Sequence, residues 1–402
     1  MNTISTGTDV ARQPGSPAAS RDSRAKTAAA EAARWAGAVD EQSRFPQEAF
    51  DAIRAQRLLG VLVPGALGGE DARLCDVADV CFRLGQACAS TGMIYAMHQV
   101  KVGCLVRHKH DSVAIDGLLR RLCAEQLLLA SSTTEGQAGG NVRSSEAPAT
   151  YEGELVMLER QASCISYGGN ADGIVTTARR SATAAHSDQV LIAFLKEDYT
   201  LTPMQTWATL GMRGTCSIGY TLRANAAREQ VLPEPYESIH RRTMVPFAHL
   251  LWGSVWAGVA SAAVSRAQAF VRNAARRSEG QLPPGAAHLG KAMSGLRTLR
   301  AMLRDALRRY ESVMDDAKTL DSIEFQSQIT LVKVEASELA VAAVLAALRV
   351  CGLSGYRSDS EFSVERSLRD VLSAPLMINN DRILAGFAAT AMMAPIASVL
   401  SE

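Results

Sequence analysis

Two changes of texture constrain this 402-residue chain more than any single motif. Between residues 25 and 126 the apolar residues recur at helical spacing. Lys26–Val39 is alanine-rich, Phe50, Ile53, Leu58 and Leu59 follow Pro46, and Cys75–Gln86 and Ser90–Val106 carry apolar stripes, with Ser90 placed to cap the second. Near Leu127 the period changes. Short runs rich in Val, Ile, Thr and Tyr, separated by Gly, Asn and Asp, fill 127–240: Leu127–Thr134, Leu155–Leu158, Ile174–Ala178, Val190–Leu195 and Tyr220–Leu222. Such runs predict an antiparallel β domain. The helical period then returns in Leu250–Arg276, His288–Lys318 and Ile323–Cys351, and a last segment from Ser363 is interrupted at Pro375 and Asn379-Asn380. The expected class is α+β, mainly α. A disordered tail (1–24) precedes an N-terminal helical domain (25–126), a middle antiparallel β domain (127–240) and a C-terminal four-helix-bundle domain (241–402).

Charge narrows the function classes. Lys plus Arg number 42 and Asp plus Glu 41, a balance that excludes an electrostatic nucleic-acid binder or a polybasic membrane-surface protein. The greasiest run, Leu339–Leu348, stops at Arg349, well short of the roughly 20 residues of a membrane span. Eight cysteines without a C-x-x-C pair read as reduced thiols of a cytoplasmic protein. Aromatics are only 5% of residues, so the helices must pack on small aliphatics.

Several short segments carry candidate chemistry. Phe45-Pro46, Leu58-Leu59-Gly60, Pro64 and Gly68-Gly69 punctuate the first domain. Ser132-Thr133-Thr134-Glu135-Gly136-Gln137-Ala138-Gly139-Gly140-Asn141 opens the β region, and a glycine-rich turn of this kind exposes N–H groups to an anionic or carbonyl-bearing ligand. Cys164-Ile165-Ser166-Tyr167-Gly168-Gly169-Asn170-Ala171-Asp172, Leu210-Gly211-Met212-Arg213-Gly214-Thr215-Cys216-Ser217 and Arg349-Val350-Cys351-Gly352-Leu353-Ser354-Gly355-Tyr356 follow in order, with Arg276 and Gly280 between the last two.

In order and spacing these segments resemble the acyl-CoA dehydrogenase superfamily across roughly residues 27–396. The resemblance implies a flavin-dependent oxidoreductase with FAD, or FMN for a monooxygenase. Ser132, Thr133, Thr134 and Gly140 would cradle the flavin ring. Cys164 stands where the family has a flavin-shielding Trp, and Ser166 where it has a Thr that bonds the ring; a strand hydroxyl bonded to its own backbone is the alternative. Arg276, Gly352 and Gly355 would meet the pyrophosphate, although an exposed helix-end arginine is the commoner reading of Arg276.

The resemblance also locates what is missing. The family's usual base is the Glu of a segment following an Arg-Asp pair. Here the pair is Arg369-Asp370, and ungapped alignment puts Ile378 at the base position, with Asn379, Asn380 and Asp381 next to it. The helix that grips coenzyme A in the family has Ala248 and Leu251 where Asp and Arg are expected, and His249 is its only titratable group. Tyr95 and His98, three apart on a helix that lines the family's acyl pocket, share a face and are placed either to meet a substrate or to bond backbone. Three functions follow: oxidation of an acyl thioester carried by coenzyme A or a carrier protein, flavin-dependent oxygenation of a small substrate, or a catalytically silent binding role. The implied partners are a flavin reductase or an electron-transfer flavoprotein, and further copies of the chain in a dimer or tetramer.

Overall fold

The computed structural model describes residues 20–135 and 142–392. Ser20 caps the first helix by accepting the Ser23 N–H at 3.2 Å, so helix starts inside the stretch expected as tail; residues 1–19 lie outside the described residues. The N-terminal layer is α1 (Arg21–Gln42), α2 (Gln47–Ala55), α3 (Leu74–Ala87), α4 (Ala89–His108) and α5 (Val113–Glu125). Helix α4 begins one residue before Ser90, after Cys88, and Ser90 is buried in its first turn rather than capping it.

The middle region holds two small sheets. Strands β1 (Leu129–Ser132), β4 (Gly173–Arg179) and β5 (Gln189–Leu195) form one, in the order β1-β4-β5. Strands β2 (Thr150–Glu152), β3 (Leu155–Ala162), β7 (Tyr220–Ala227) and β6 (Tyr199–Pro203) form the other, in the order β2-β3-β7-β6. The second sheet is antiparallel as expected, and β3 and β7 alternate buried and exposed residues because one face meets solvent. The first departs from the expectation: β1 runs parallel to β4. Both β4 and β5 are buried on both faces, so neither shows the in–out alternation of a half-exposed antiparallel strand, and their sequence carries no mark of strand direction.

A single continuous helix, Tyr236–Arg277, begins the C-terminal layer ahead of the expected boundary at residue 241. It is built from α6 (Tyr236–Ile239), a π turn at His240–Met244, and α7 (Val245–Arg277). By length and composition alone this helix could cross a membrane, but 89% of its most apolar window is buried against the rest of the protein. It packs on α3, on α8 (Ala287–Val313) and on α10 (Ile323–Cys351). The short helices α9 (Ala317–Leu320) and α11 (Leu353–Tyr356) flank α10, and the fourth place of the bundle goes to short helices α12 (Glu365–Val371) and α13 (Asn380–Ala391), both against α10.

Close packing fixes how the layers meet. A Cβ at Gly258 of α7 would stand 2.2 Å from the Phe82 carbonyl of α3, and one at Gly85 of α3 would stand 2.4 Å from the Val255 carbonyl of α7. A Cβ at Gly103 of α4 would stand 2.3 Å from the Phe247 ring. Ion pairs then tie the layers: Arg369 of α12 binds Asp40 of α1 and the Leu210 carbonyl, and Arg54 of α2 binds Asp172 at 3.0 Å beside β4.

Candidate functional site

A cavity of about 680 Å³ opens where the three layers meet. Its strand-side wall is a row of hydroxyls from Ser131, Thr133, Thr134, Ser166, Thr215 and Ser217, with Cys164 among them. Its helical wall is apolar, set by Met93, Met97 and Val100 of α4, by Met244, Ala248 and Trp252, and by the segment Leu372–Ile378. Four basic side chains interrupt the apolar wall: Lys101, His240, His249 and Arg369, the last held by Asp40 and the Leu210 carbonyl. No Asp or Glu lines the cavity among the described residues, and the Gly136–Asn141 stretch beyond Glu135 contains none by sequence.

The strand-side hydroxyls are pre-arranged. The Ser217 hydroxyl donates to Ser166 Oγ at 2.8 Å, and Thr215 Oγ1 lies 2.8 Å from both Ser217 Oγ and the Met212 carbonyl. The Cys164 thiol donates to the Ser217 carbonyl at 3.4 Å, and burial pushes its ionisation up, so it stays a neutral thiol. The loop carrying Met212 is anchored from α12: the Met212 N–H donates to Asp370 Oδ1 at 2.6 Å. Desolvation raises the Asp370 carboxyl to about 6, and this buried acid faces the loop backbone rather than the cavity. A flat bed of hydroxyls beside an apolar wall suits a flavin ring, whose rim carries carbonyls and ring nitrogens and whose faces are apolar. Ser131, Thr133, Thr134, Cys164 and Ser166 would hold it.

The structure separates the sequence candidates sharply. Thr133, Thr134, Cys164 and Ser166 line the cavity; Ser132 is fully buried beside it, its hydroxyl without a partner among the described residues and its carbonyl accepting the Thr176 hydroxyl at 2.8 Å. Gly140 lies outside the described residues. His98 and Tyr95, expected to face substrate, do not line the cavity. One residue after Met97, His98 is turned by about 100° round the helix and away from the opening. Its Nε2–H donates to the Leu59 carbonyl at 2.9 Å, its Nδ1 accepts the Leu129 N–H at 3.0 Å, and the Tyr95 hydroxyl donates to the Leu58 carbonyl at 3.1 Å. Both side chains join α4 to the Leu58-Leu59 turn and β1, which is the backbone-bonded alternative.

The expected base segment is corrected too. Asn380 is buried in a polar knot on α10: its Oδ1 accepts Lys333 Nζ at 2.7 Å, and its Nδ2 donates to Ser337 Oγ and Glu338 Oε1, both at 2.9 Å. Asn379 and Asp381 are exposed, and Asn379 Oδ1 accepts the Asp381 N–H at 2.8 Å at the start of α13. None of the three lines the cavity, whereas Ile378 does. The helix register therefore does not shift to bring Asp381 in. Arg276 and Gly352 are exposed, and Gly352 takes φ +55° at the end of α10. Gly355 is buried because a Cβ there would stand 2.6 Å from Cys351 Cβ, a packing reason that needs no ligand.

Sequence reasoning missed Lys101 and His240 and undervalued His249. A lysine amid Val100, Val102, Cys104 and Leu105 was the available signal. Lys101 is 3% exposed, and among the described residues its ammonium donates only to the Met244 thioether, at 3.5 Å. Burial pushes it down to about 8. His249 donates Nδ1–H to the Ile329 carbonyl at 2.9 Å, which leaves Nε2 as its acceptor, and desolvation lowers it to about 4. His240 sits in the π turn, a feature enriched at functional sites, and burial lowers it to about 3.

Comparison with known proteins agrees with this architecture. The chain matches the acyl-CoA dehydrogenase N-terminal domain over residues 18–111 and the acyl-CoA dehydrogenase C-terminal domain over residues 250–376. The chain belongs to the acyl-CoA dehydrogenase superfamily. Among curated relatives, cyclohex-1-ene-1-carbonyl-CoA dehydrogenase of Geobacter metallireducens is 26% identical over 368 residues, covering 89% of this chain and 92% of that one. Among solved structures, the FMN-bound dibenzothiophene monooxygenase TdsC of Paenibacillus sp. A11-2 superposes with a TM-score of 0.78 at 18% identity, covering 90% of this chain and 95% of that one. The nitrososynthase of Micromonospora carbonacea var. africana superposes at 0.78 with 20% identity, covering 94% and 98%. At these identities the structural matches establish the superfamily fold and no particular reaction.

Proposed function

We propose that this protein is a flavin-dependent monooxygenase on the acyl-CoA dehydrogenase fold, oxidising a small, largely apolar substrate rather than an acyl thioester. One observation carries the reading: no carboxylate lines the cavity among the described residues, and the position aligned with the family's base is Ile378. Thioester dehydrogenation begins with removal of a proton alpha to the carbonyl, which calls for a base whose conjugate acid titrates near the working pH. His249, at about 4, is too weak, and Lys101, at about 8, is held mainly as an ammonium at neutral pH. Ala248 and Leu251, in place of the Asp and Arg that grip coenzyme A in the family, support the same reading.

A bound, reduced flavin would supply two electrons and activate dioxygen, one oxygen atom passing to the substrate and the other leaving as water. The protein's own work is to bed the ring on Ser131, Thr133, Thr134, Cys164 and Ser166, the last fixed by the Ser217 and Thr215 hydroxyls, and to keep water from the reacting face with Met93, Met97 and Trp252. Electrons would come from a separate flavin reductase. Eight unpaired thiols suit a reducing, cytoplasmic setting. The names of the sequence relatives favour the second reading, a dehydrogenase of acyl thioesters, for which an electron-transfer flavoprotein would take the electrons.

Anaerobic titration of flavin-loaded protein separates the two readings. Butyryl- and cyclohexenecarbonyl-coenzyme A should leave the visible flavin band unchanged, while a reductase with NADH should bleach it and admitted oxygen restore it. Bleaching by a thioester alone would establish the dehydrogenase. Protein that cannot be loaded with either FMN or FAD would establish the silent role.

A further inference from the structure

We propose that the helical wall at Lys101 is a binding site for one organic anion, a carboxylate carried by the substrate. Lys101 is buried, lines the cavity, and has no carboxylate partner among the described residues. A buried ammonium without a counter-ion is costly, and protein interiors almost always pair one. Here the sole acceptor among the described residues is a thioether, already shared with the Tyr236 hydroxyl at 3.4 Å from Met244 Sδ. The other cation of the wall, Arg369, is satisfied by Asp40 and the Leu210 carbonyl. The unpaired charge of the cavity is therefore localised at Lys101.

The surroundings decide the class of anion. His240 and His249 face the same cavity and are held neutral by burial, so the site offers one positive charge rather than three. One buried charge matches a monoanion; a phosphate dianion would leave a second charge uncompensated. Met93, Met97 and Val100 carry the apolar lining away from Lys101 along the same helix, which suits a hydrocarbon or aromatic body behind the carboxylate. The expected ligand is thus an apolar monocarboxylate, bound through its ionised, unesterified carboxylate and not as the acyl group of a thioester. The site itself stands on the cavity alone; naming its ligand as substrate rests on the monooxygenase reading.

Calorimetric titration of the purified, flavin-loaded chain with benzoate and with benzamide tests it. The two probes have nearly the same shape and differ in charge. Benzoate should bind about tenfold or more tightly than benzamide, the usual strength of a hydrogen bond to a buried charge. Lys101→Met should remove that preference while leaving benzamide affinity within about twofold, since the apolar lining is untouched. Equal affinities in the unmodified protein, or a preference that survives in Lys101→Met, would overturn the proposal. The first comparison needs no variant, so a Lys101→Met chain that fails to fold leaves it intact. The visible spectrum of the same samples reports flavin, so failure of the flavin reading shows as lost colour and failure of the anion site as lost selectivity.

Discussion

At the scale of single residues, the cavity separates side chains that look alike in sequence. His98 and His249 are both buried helical histidines held neutral, yet one has both ring nitrogens bonded to backbone and the other keeps Nε2 beside the cavity. His98→Ala should cost about 2–4 kcal/mol in urea unfolding, from a lost buried ring and an orphaned Leu129 N–H. The folded fraction of that variant should keep its flavin affinity and turnover; loss of turnover with unchanged stability would restore His98 to the site. Ser166→Ala should do the reverse, weakening flavin binding by about tenfold in a fluorescence titration with stability changed by less than about 1 kcal/mol, because one hydroxyl at the ring edge is removed. Undiminished flavin affinity would remove Ser166 from the bed. Thr133, Thr134, Cys164 and Ser166 were marked in the sequence by their resemblance to the family's motifs, and all four line the cavity. For His98 and Tyr95 the sequence left both alternatives open, because i and i+3 spacing shows that two residues share a face but not whether that face meets the cavity or the neighbouring backbone.

At the scale of elements, the helices were legible from their period, and what escaped was how they meet. The α3–α7 contact depends on two glycines, Gly85 and Gly258, whose missing Cβ atoms let the backbones approach. On propensity alone Gly258→Ala would stabilise α7 by about 1 kcal/mol. The added methyl, 2.2 Å from the Phe82 carbonyl, forces the helices apart, and overpacking of this kind costs about 1–3 kcal/mol. We expect net destabilisation, read as a lower urea midpoint with an unchanged slope; a raised midpoint would show that α7 shifts freely on α3. The π turn at His240–Met244 was invisible for a related reason. Its residues, His240-Arg241-Arg242-Thr243-Met244, read as an ordinary polar lead-in to α7, and the extra residue shows only as a change of phase, which turns His240 and Met244 toward the cavity beside Lys101. The parallel β1–β4 pair escaped because a strand buried on both faces reads the same in either direction.

At the scale of the whole molecule, the cavity exists only where three layers converge, and the groups buried to build it make the fold sensitive to acid. His98 and His249 are lowered to about 4 and His240 to about 3, while in the unfolded chain histidine titrates near 6.5. Between these limits the unfolded chain binds more protons than the folded one, so stability falls as pH is lowered and is fully present above about 6.5. Asp370 acts in the opposite sense. Raised to about 6 from 3.8, it binds its proton more readily in the fold, so its contribution is largest at low pH and is lost as pH rises through about 6. Three histidines outweigh one carboxyl. From pH 6.5 to 5 the unfolding free energy should drop by at least about 1.4 kcal/mol per pH unit, the equivalent of one net proton. Urea midpoints at pH 7, 6 and 5 measure this, and His98→Gln should make the fall shallower by about one proton's worth. A flat profile over that window would mean that the buried imidazoles find compensating partners on protonation, and with them the neutral histidines beside Lys101 would become a second and third positive charge in the cavity.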